Sequence, residues 1–122
     1  MKESIEFGHD SVRCVFCGEI TSQEVMDANN NVINHEHFKS FRSQLWIFKS
    51  VKKFTMSTEE IKLLAEKDRA ASNKNPHMKV AVVTDSSLAF GLSRMYETFY
   101  GKGPWDTMVF YNLDEAVEWI NM

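Results

Sequence analysis

Short apolar runs alternate with amphipathic stretches through the second half of the chain. The runs lie at residues 45–48, 80–83 and 108–111. Each is followed by apolar residues at helical spacing, and the last amphipathic stretch begins after Asn112, a good helix cap. This alternation predicts parallel strands joined by crossover helices, and therefore an α/β fold.

The clearest helical pattern covers residues 86–100. Its apolar residues fall at i, i+4, i+7, i+8 and i+11 on one face: Leu88, Leu92, Met95, Tyr96 and Phe99. The helix follows a strand predicted over 79–84, which we expect at the centre of the sheet. Ser57 with Glu60 matches the capping-box pattern and predicts the start of the preceding helix.

The first part of the chain predicts two strands and a helix. Ile5 and Phe7 alternate with polar residues, and a second strand over 12–17 is expected to run antiparallel to the first. Thr21 and Glu24 form another capping-box pattern, and the helix after it is expected to end near residues 37–38. A chain of 122 residues makes one domain, so we assign residues 1–122 to a single unit.

Charge narrows the range of partners. A formal net charge of -3 argues against general nucleic-acid binding. Between residues 39 and 53, however, all charged side chains are basic: Lys39, Arg42, Lys49, Lys52 and Lys53. This stretch is consistent with a solvated edge of the sheet, or with an acidic partner or anionic ligand beside the strand at 45–48.

Nothing in the sequence predicts export or membrane insertion. The first four residues lack the apolar region of a signal peptide, and no apolar run is long enough to span a membrane. We therefore expect a cytoplasmic protein.

Three motifs are better explained by a structural role than by a redox, metal-binding or phosphate-binding role. Cys14 and Cys17 lie within a predicted strand, where odd spacing places them on opposite faces. His35 and His37 lack the i, i+4 spacing of a helical zinc pair. The glycines at 101 and 103 follow a helix, whereas a phosphate-binding loop precedes one. The sequence therefore predicts no metal and no cofactor.

A polar segment after the strand at 79–84 is the strongest candidate for an anion site or phosphorylation switch. Asp85, Ser86 and Ser87 lie where helix amides favour anions, at the carboxyl end of that strand. Ser57 and Thr58 occupy the equivalent place one strand earlier. The same residue types also serve as plain helix caps, so both interpretations remain open.

Aromatic residues near the end of the helix at 86–100 are the candidate lining of an apolar pocket. They are Tyr96, Phe99, Tyr100 and Trp105. The alternative is that they are ordinary core and interface aromatics.

The C-terminal part of the chain carries a resemblance to a known family. The strand reading VAVVTD at 80–85 and the end LDEAVEWI at 113–120 resemble the STAS-like family, which is related in fold to bacterial anti-sigma factor antagonists and to lipid-binding CRAL-TRIO domains. The resemblance implies a bacterial protein with a mixed sheet of four to five strands, about four helices mainly on one face, and often a homodimer.

One part of the family pattern is missing. Anti-sigma factor antagonists carry a phosphorylatable serine in an Asp-Ser-Ser-Gly-like turn after the third strand, which corresponds to residues 54–58 here, and no such motif is present. The Asp85 segment is similar but comes one strand later, with Leu88 in place of the glycine.

Two functions follow as expectations. The first is a non-enzymatic regulatory module that binds an unknown protein partner. We also expect a homodimer, formed through an edge strand at 5–7 or through helix packing. The alternative is a domain that binds a small apolar or anionic molecule, or a lipid, in a pocket under the helix at 86–100. We do not expect an enzyme, since no histidine is placed near Asp85 and Ser86.

Overall fold

Five strands form one mixed sheet in the order β1-β2-β3-β4-β5. The structure is a computed structural model that describes residues 3–122. Its strands are β1 (Glu3–Phe7), β2 (Ser11–Thr21), β3 (Ser43–Thr55), β4 (Lys79–Thr84) and β5 (Asp106–Phe110). Its α-helices are α1 (Ser22–Ile33), α2 (Thr58–Ser72), α3 (Ser87–Tyr100) and α4 (Leu113–Ile120), with a short 3-10 turn at Phe38–Ser40.

The strand directions agree with the sequence pattern. β1 is antiparallel to β2, and the other neighbouring pairs are parallel. Parallel pairs require crossover connections, which α1, α2 and α3 provide. The α/β class and the mixed sheet with four helices are thus confirmed.

The helices cover the two faces of the sheet unequally. The larger core combines inward residues of α1, α2 and α3 with one face of the sheet, including Val25, Ile61, Tyr96, Trp46 and Val82. The smaller core places Ala116 of α4 against Leu45, Ala81 and Val83 on the other face. Helices therefore lie mainly on one face, as the family resemblance implied.

Three expectations about individual elements were wrong. α1 ends at Ile33 rather than near residues 37–38, since the segment after it forms turns. The middle strand is β3, not β4, because the crossovers add strands in simple chain order from β2 to β5. β3 also continues well past residue 48, to Thr55.

The extra length of β3 forms a two-stranded ribbon with β2. The last residue of β3 that pairs with β4 is Phe48, whereas pairing with β2 continues to Thr55. The register shifts around Gly18, and both Gly18 (φ 77°) and Ser50 (φ 51°) adopt left-handed backbone conformations. A bulge of this kind increases local twist, so the ribbon bends away from the plane of the sheet.

Helix α2 packs more extensively against α3 than against any strand. Its inward residues, Ile61 and Ala65, are buried, and Leu64 is half-buried. Since α2 lies over the sheet between α1 and α3, its separation from the strands leaves space beneath it.

Helix α2 begins at a complete capping box. Ser57 Oγ accepts a hydrogen bond from the Glu60 amide (3.1 Å), and the Ser57 amide donates to Glu60 Oε1 (2.8 Å). Ser22 at the start of α1 donates to Glu60 Oε2 (2.6 Å). These hydrogen bonds lower the pKa of the Glu60 carboxyl, and the bond from Ser22 has the largest effect. Glu60 therefore joins the first turns of α1 and α2.

Replacing Ser57 by alanine should destabilise the fold. The Ser57→Ala variant loses the acceptor for the Glu60 amide, and we expect its free energy of unfolding in urea to fall by about 1 kcal/mol. Thr58→Ala is the matched control, because Thr58 is the neighbouring exposed residue and lies outside the capping box. Equal stability of the two variants would contradict the role given to Ser57.

Candidate functional site

A half-open cavity of about 60 Å³ lies between α1, α2, α3 and the sheet. About 10–15 Å³ of such space holds one water-sized group, so the cavity has room for roughly five. Its wall is largely apolar, with side chains from β3, β4 and the helices, including Val25, Trp46, Phe48, Ile61, Val80, Val82 and Leu92. A mostly apolar cavity with a few polar groups is typical of a small-molecule site.

The polar groups in the cavity wall form one hydrogen-bonded cluster. Asn29 of α1 donates through Nδ2 to Asp68 Oδ1 (2.7 Å), and Tyr96 of α3 donates through its hydroxyl to Asp68 Oδ2 (2.5 Å). All three residues are less than a tenth exposed. Asp68 of α2 is thus held from both sides by neutral donors.

Burial controls the protonation of this cluster. It raises the pKa of Asp68 to about 6, against the opposing influence of the hydrogen bonds from Tyr96 and Asn29 and of the Lys67 charge. Burial, followed by the charge of Asp68, holds the pKa of the Tyr96 hydroxyl well above its ordinary value. Tyr96 therefore remains the donor while Asp68 exchanges its proton near neutral pH.

Asn29 leaves one acceptor unused. Asp68 accepts hydrogen bonds, so the amide of Asn29 must turn its Nδ2 toward Asp68 and its Oδ1 away. Oδ1 is buried and has no hydrogen-bond partner within residues 3–122. A buried acceptor without a partner costs free energy, commonly 1–3 kcal/mol.

The mouth of the cavity lies between the β3 ribbon and helices α2 and α3. The wall residues that remain partly exposed are Phe54 in the ribbon, Met56 just after it, Leu64 on α2, and Leu92 on α3. Phe54 packs on Phe48 with ring centroids 5.2 Å apart. The bent ribbon therefore forms one side of the entrance, and it carries exposed Lys49, Lys52 and Lys53.

Besides Tyr96, the cavity wall contains the hydroxyl of Ser93, which already donates a hydrogen bond within α3. Ser93 of α3 lines the cavity and donates to the carbonyl of Ala89 (2.8 Å). Its proton is therefore engaged with the helix backbone. The cluster is suited to hold a polar group and to exchange a proton at Asp68.

The four aromatic residues expected to line a pocket occupy different places. Tyr96 lines the cavity, whereas Phe99, Tyr100 and Trp105 are not part of its wall. Tyr100 and Trp105 stack with ring centroids 6.1 Å apart, and the Tyr100 hydroxyl accepts from the Trp105 amide (2.9 Å). Arg69 donates to the carbonyl oxygens of Phe99 and Tyr100, at the end of α3.

The predicted anion residues lie at helix starts. Ser86 Oγ accepts from the Ala89 amide (3.2 Å) and caps α3, with exposed Asp85 before it and exposed Ser87 after it. Ser57 and Thr58 lie at the start of α2. The Asp85 segment and the Ser57 segment follow β4 and β3 at the same edge of the sheet, and neither lines the cavity.

The remaining motifs have structural positions. Cys14 is buried and Cys17 is half-buried. His35 follows α1 and stacks on Phe7 with ring centroids 4.1 Å apart. Gly101 ends α3 with a φ of 70°.

Two broader features are absent from residues 3–122. No group of three or more His, Cys, Asp or Glu residues is placed to hold a metal ion within residues 3–122. In that same range, no helix has the length and apolarity needed to cross a membrane. Of the first four residues, from which no signal peptide was expected, Met1 and Lys2 lie outside the described residues.

The sequence analysis missed Asn29 and Asp68. A usable signal was present, because Asp68 follows Ile61, Leu64 and Ala65 on the apolar stripe of α2 at helical spacing. Asn29 likewise lies next to buried Ala28, between Val25 and Val32. Polar residues at inward positions on two neighbouring helices point to a buried polar pair.

The fold is SpoIIAA-like, and thus STAS-like, as the comparison with a solved structure shows. The chain is similar to an uncharacterized protein of the DUF3478 family with a SpoIIAA-like fold from Shewanella loihica PV-4. The TM-score is 0.51 and the identity 14%, over 97% of this chain and 91% of that chain. This likeness establishes the fold. No model of a known protein family and no curated protein matches the sequence.

The raised pKa of Asp68 predicts a loss of stability as pH increases. Below about pH 3.8, the ordinary pKa of the group, folded and unfolded chains are both protonated at Asp68, and its stabilising contribution is complete. As the pH rises through about 6, the folded carboxyl gives up its proton at a free-energy cost, and roughly 3 kcal/mol of stability is lost.

The Asp68→Asn variant isolates this effect. It keeps an acceptor for Tyr96 but has no charge to bury, and the other carboxyls titrate alike in both proteins. The difference in unfolding free energy, measured in urea between pH 3.5 and 7.5, should shift by about 3 kcal/mol in favour of the variant. Parallel pH profiles, or a shift of opposite sign, would contradict the assignment.

Proposed function

We propose that this protein is a non-catalytic binding module whose cavity takes a small, largely apolar molecule or the apolar part of a larger one. The observation that carries the proposal is the half-open cavity itself, which combines an apolar wall with one buried polar cluster. Native interiors are close-packed, so unfilled space of this size beside buried polar groups is uncommon. A bound ligand would explain both the space in the interior and the polar groups buried beside it.

Leu64 and its neighbour Leu63 provide a matched test. Leu64 lines the mouth, whereas Leu63, on the same helix, is 49% exposed and does not line the cavity. A tryptophan at position 64 should fill the space, and the same change at position 63 should leave it open. Leu92→Trp, on the opposite wall, is a second filling variant in case Leu64→Trp does not fold.

Mass spectrometry of protein purified from its own host measures occupancy directly. The wild type and Leu63→Trp should carry an extra small mass under native conditions that disappears on denaturation. In Leu64→Trp or Leu92→Trp, this occupancy should fall at least about tenfold, because the ligand would have to displace a well-packed indole. An unloaded wild type, or unchanged occupancy in folded filling variants, would contradict the proposal.

A protein-interaction role is the second candidate. Several large apolar side chains near the starts of α3 and α4 are exposed: Leu88 is 51%, Tyr111 65% and Leu113 37% exposed. Exposed apolar groups of this kind favour association, and the expected homodimer would use them. Ser87 lies directly before Leu88, so a phosphate there would add charge beside these side chains.

Sedimentation equilibrium tests this second candidate. The wild type should sediment as a dimer, and the paired change Leu88→Ser with Tyr111→Ser should sediment as a monomer. Leu63→Ser is the control, because Leu63 is equally exposed on a different helix. A monomeric wild type, or a dimer unaffected by the paired change, would remove the support for this surface.

A further inference from the structure

The polar residues at one end of the cavity indicate which polar group the ligand has, in addition to its apolar part. Three residues with acceptor oxygens line it, Asn29, Asp68 and Tyr96, and Asn29 Oδ1 is buried without a partner in residues 3–122. Both side-chain donor groups there already donate once, since Asn29 Nδ2, through one of its two hydrogens, and the Tyr96 hydroxyl donate to Asp68. The hydroxyl of Ser93 donates to Ala89.

From this imbalance we infer that the ligand presents a hydrogen-bond donor, a hydroxyl or a protonated amine, to Asn29 Oδ1 and the neighbouring Asp68. The inference rests on the proposed function and specifies the chemistry of the same site. A donor satisfies the buried acceptor of Asn29, which is 2% exposed. A halide or an ether offers no donor and leaves it unpaired.

The same geometry excludes an anionic head. A carboxylate or phosphate entering the cavity would place its oxygens against the acceptors of Asn29 and Asp68. The basic side chains on the β3 ribbon, Lys49, Lys52 and Lys53, are exposed and do not line the cavity. They therefore provide no cation at the polar end, and we expect anionic molecules to bind weakly there.

Four probes with the same butyl chain test this preference. 1-Butanol and butylamine carry donors, 1-chlorobutane carries none, and pentanoate carries a negative charge. A four-carbon chain with its head matches the room for roughly five water-sized groups. Dissociation constants would be measured near neutral pH from NMR shifts of the cavity residues in the intact protein.

The inference predicts that butanol and butylamine bind at least about tenfold more tightly than chlorobutane and pentanoate. Asn29→Leu should reduce the advantage of butanol over chlorobutane, because Asn29 Oδ1 is gone and Asp68 alone remains to accept the hydroxyl proton. Asp68→Asn should remove any advantage of butylamine over butanol, because it removes the charge. Its new side-chain amide can donate to Asn29 Oδ1, so the comparison with chlorobutane is made on Asn29→Leu alone. These two changes separate the hydrogen bond from the charge.

If Asn29→Leu does not fold, the contact between the ligand and Asn29 can still be tested on the wild type alone. The side-chain amide signals of Asn29 should shift with butanol and butylamine and remain nearly unchanged with chlorobutane. Equal affinity for all four probes, or tighter binding of pentanoate, would overturn the inference while the proposed function stands. Failure of all four to bind would overturn both.

Discussion

Asp68 is the point at which the three helices on one face of the sheet meet. It accepts one hydrogen bond from Asn29 of α1 and another from Tyr96 of α3, and it belongs to α2, the helix that packs least on the strands. An ionisable carboxyl in an apolar interior is costly, and these neutral donors offset only part of that cost. This buried cluster therefore joins α2 to both neighbouring helices, in addition to the apolar contacts of Ile61 and Ala65.

The cavity follows from the same arrangement. Side chains of β3 and β4 form its floor, the helices form its walls, and the bent ribbon at the end of β3 borders its mouth. The ribbon bends because Gly18 and Ser50 adopt left-handed conformations beside a register shift. A local backbone feature thus places Phe54 and Met56 at the entrance, far along the chain from Tyr96.

Much of the fold could be predicted from the sequence, because it depends on local patterns. The alternation of apolar runs and capped helices identified the parallel strands, and the antiparallel start followed from the short first two strands. The extension of β3 could not be predicted in this way. Its lysines alternate irregularly, and its pairing with the end of β2 is a contact between residues more than 30 positions apart in sequence.

The site was harder to predict, because it too depends on contacts between residues far apart in sequence. Tyr96 was expected at a pocket and lines the cavity, but Phe99, Tyr100 and Trp105 do not. Tyr100 and Trp105 stack on each other instead. The positions of Asn29 and Asp68 in sequence indicate burial, yet their pairing depends on how α1 and α2 dock. The periodicity of a helix predicts which of its residues face inward, but not which residues of another helix they will contact.

A crystal structure of the protein purified from its own host, without removal of bound molecules, tests the central claim most directly. The account predicts electron density for a small molecule in the cavity beneath α2, with its polar atom within hydrogen-bonding distance of Asn29 Oδ1. A cavity that holds only ordered water, or one closed by movement of α2 onto the sheet, would contradict it.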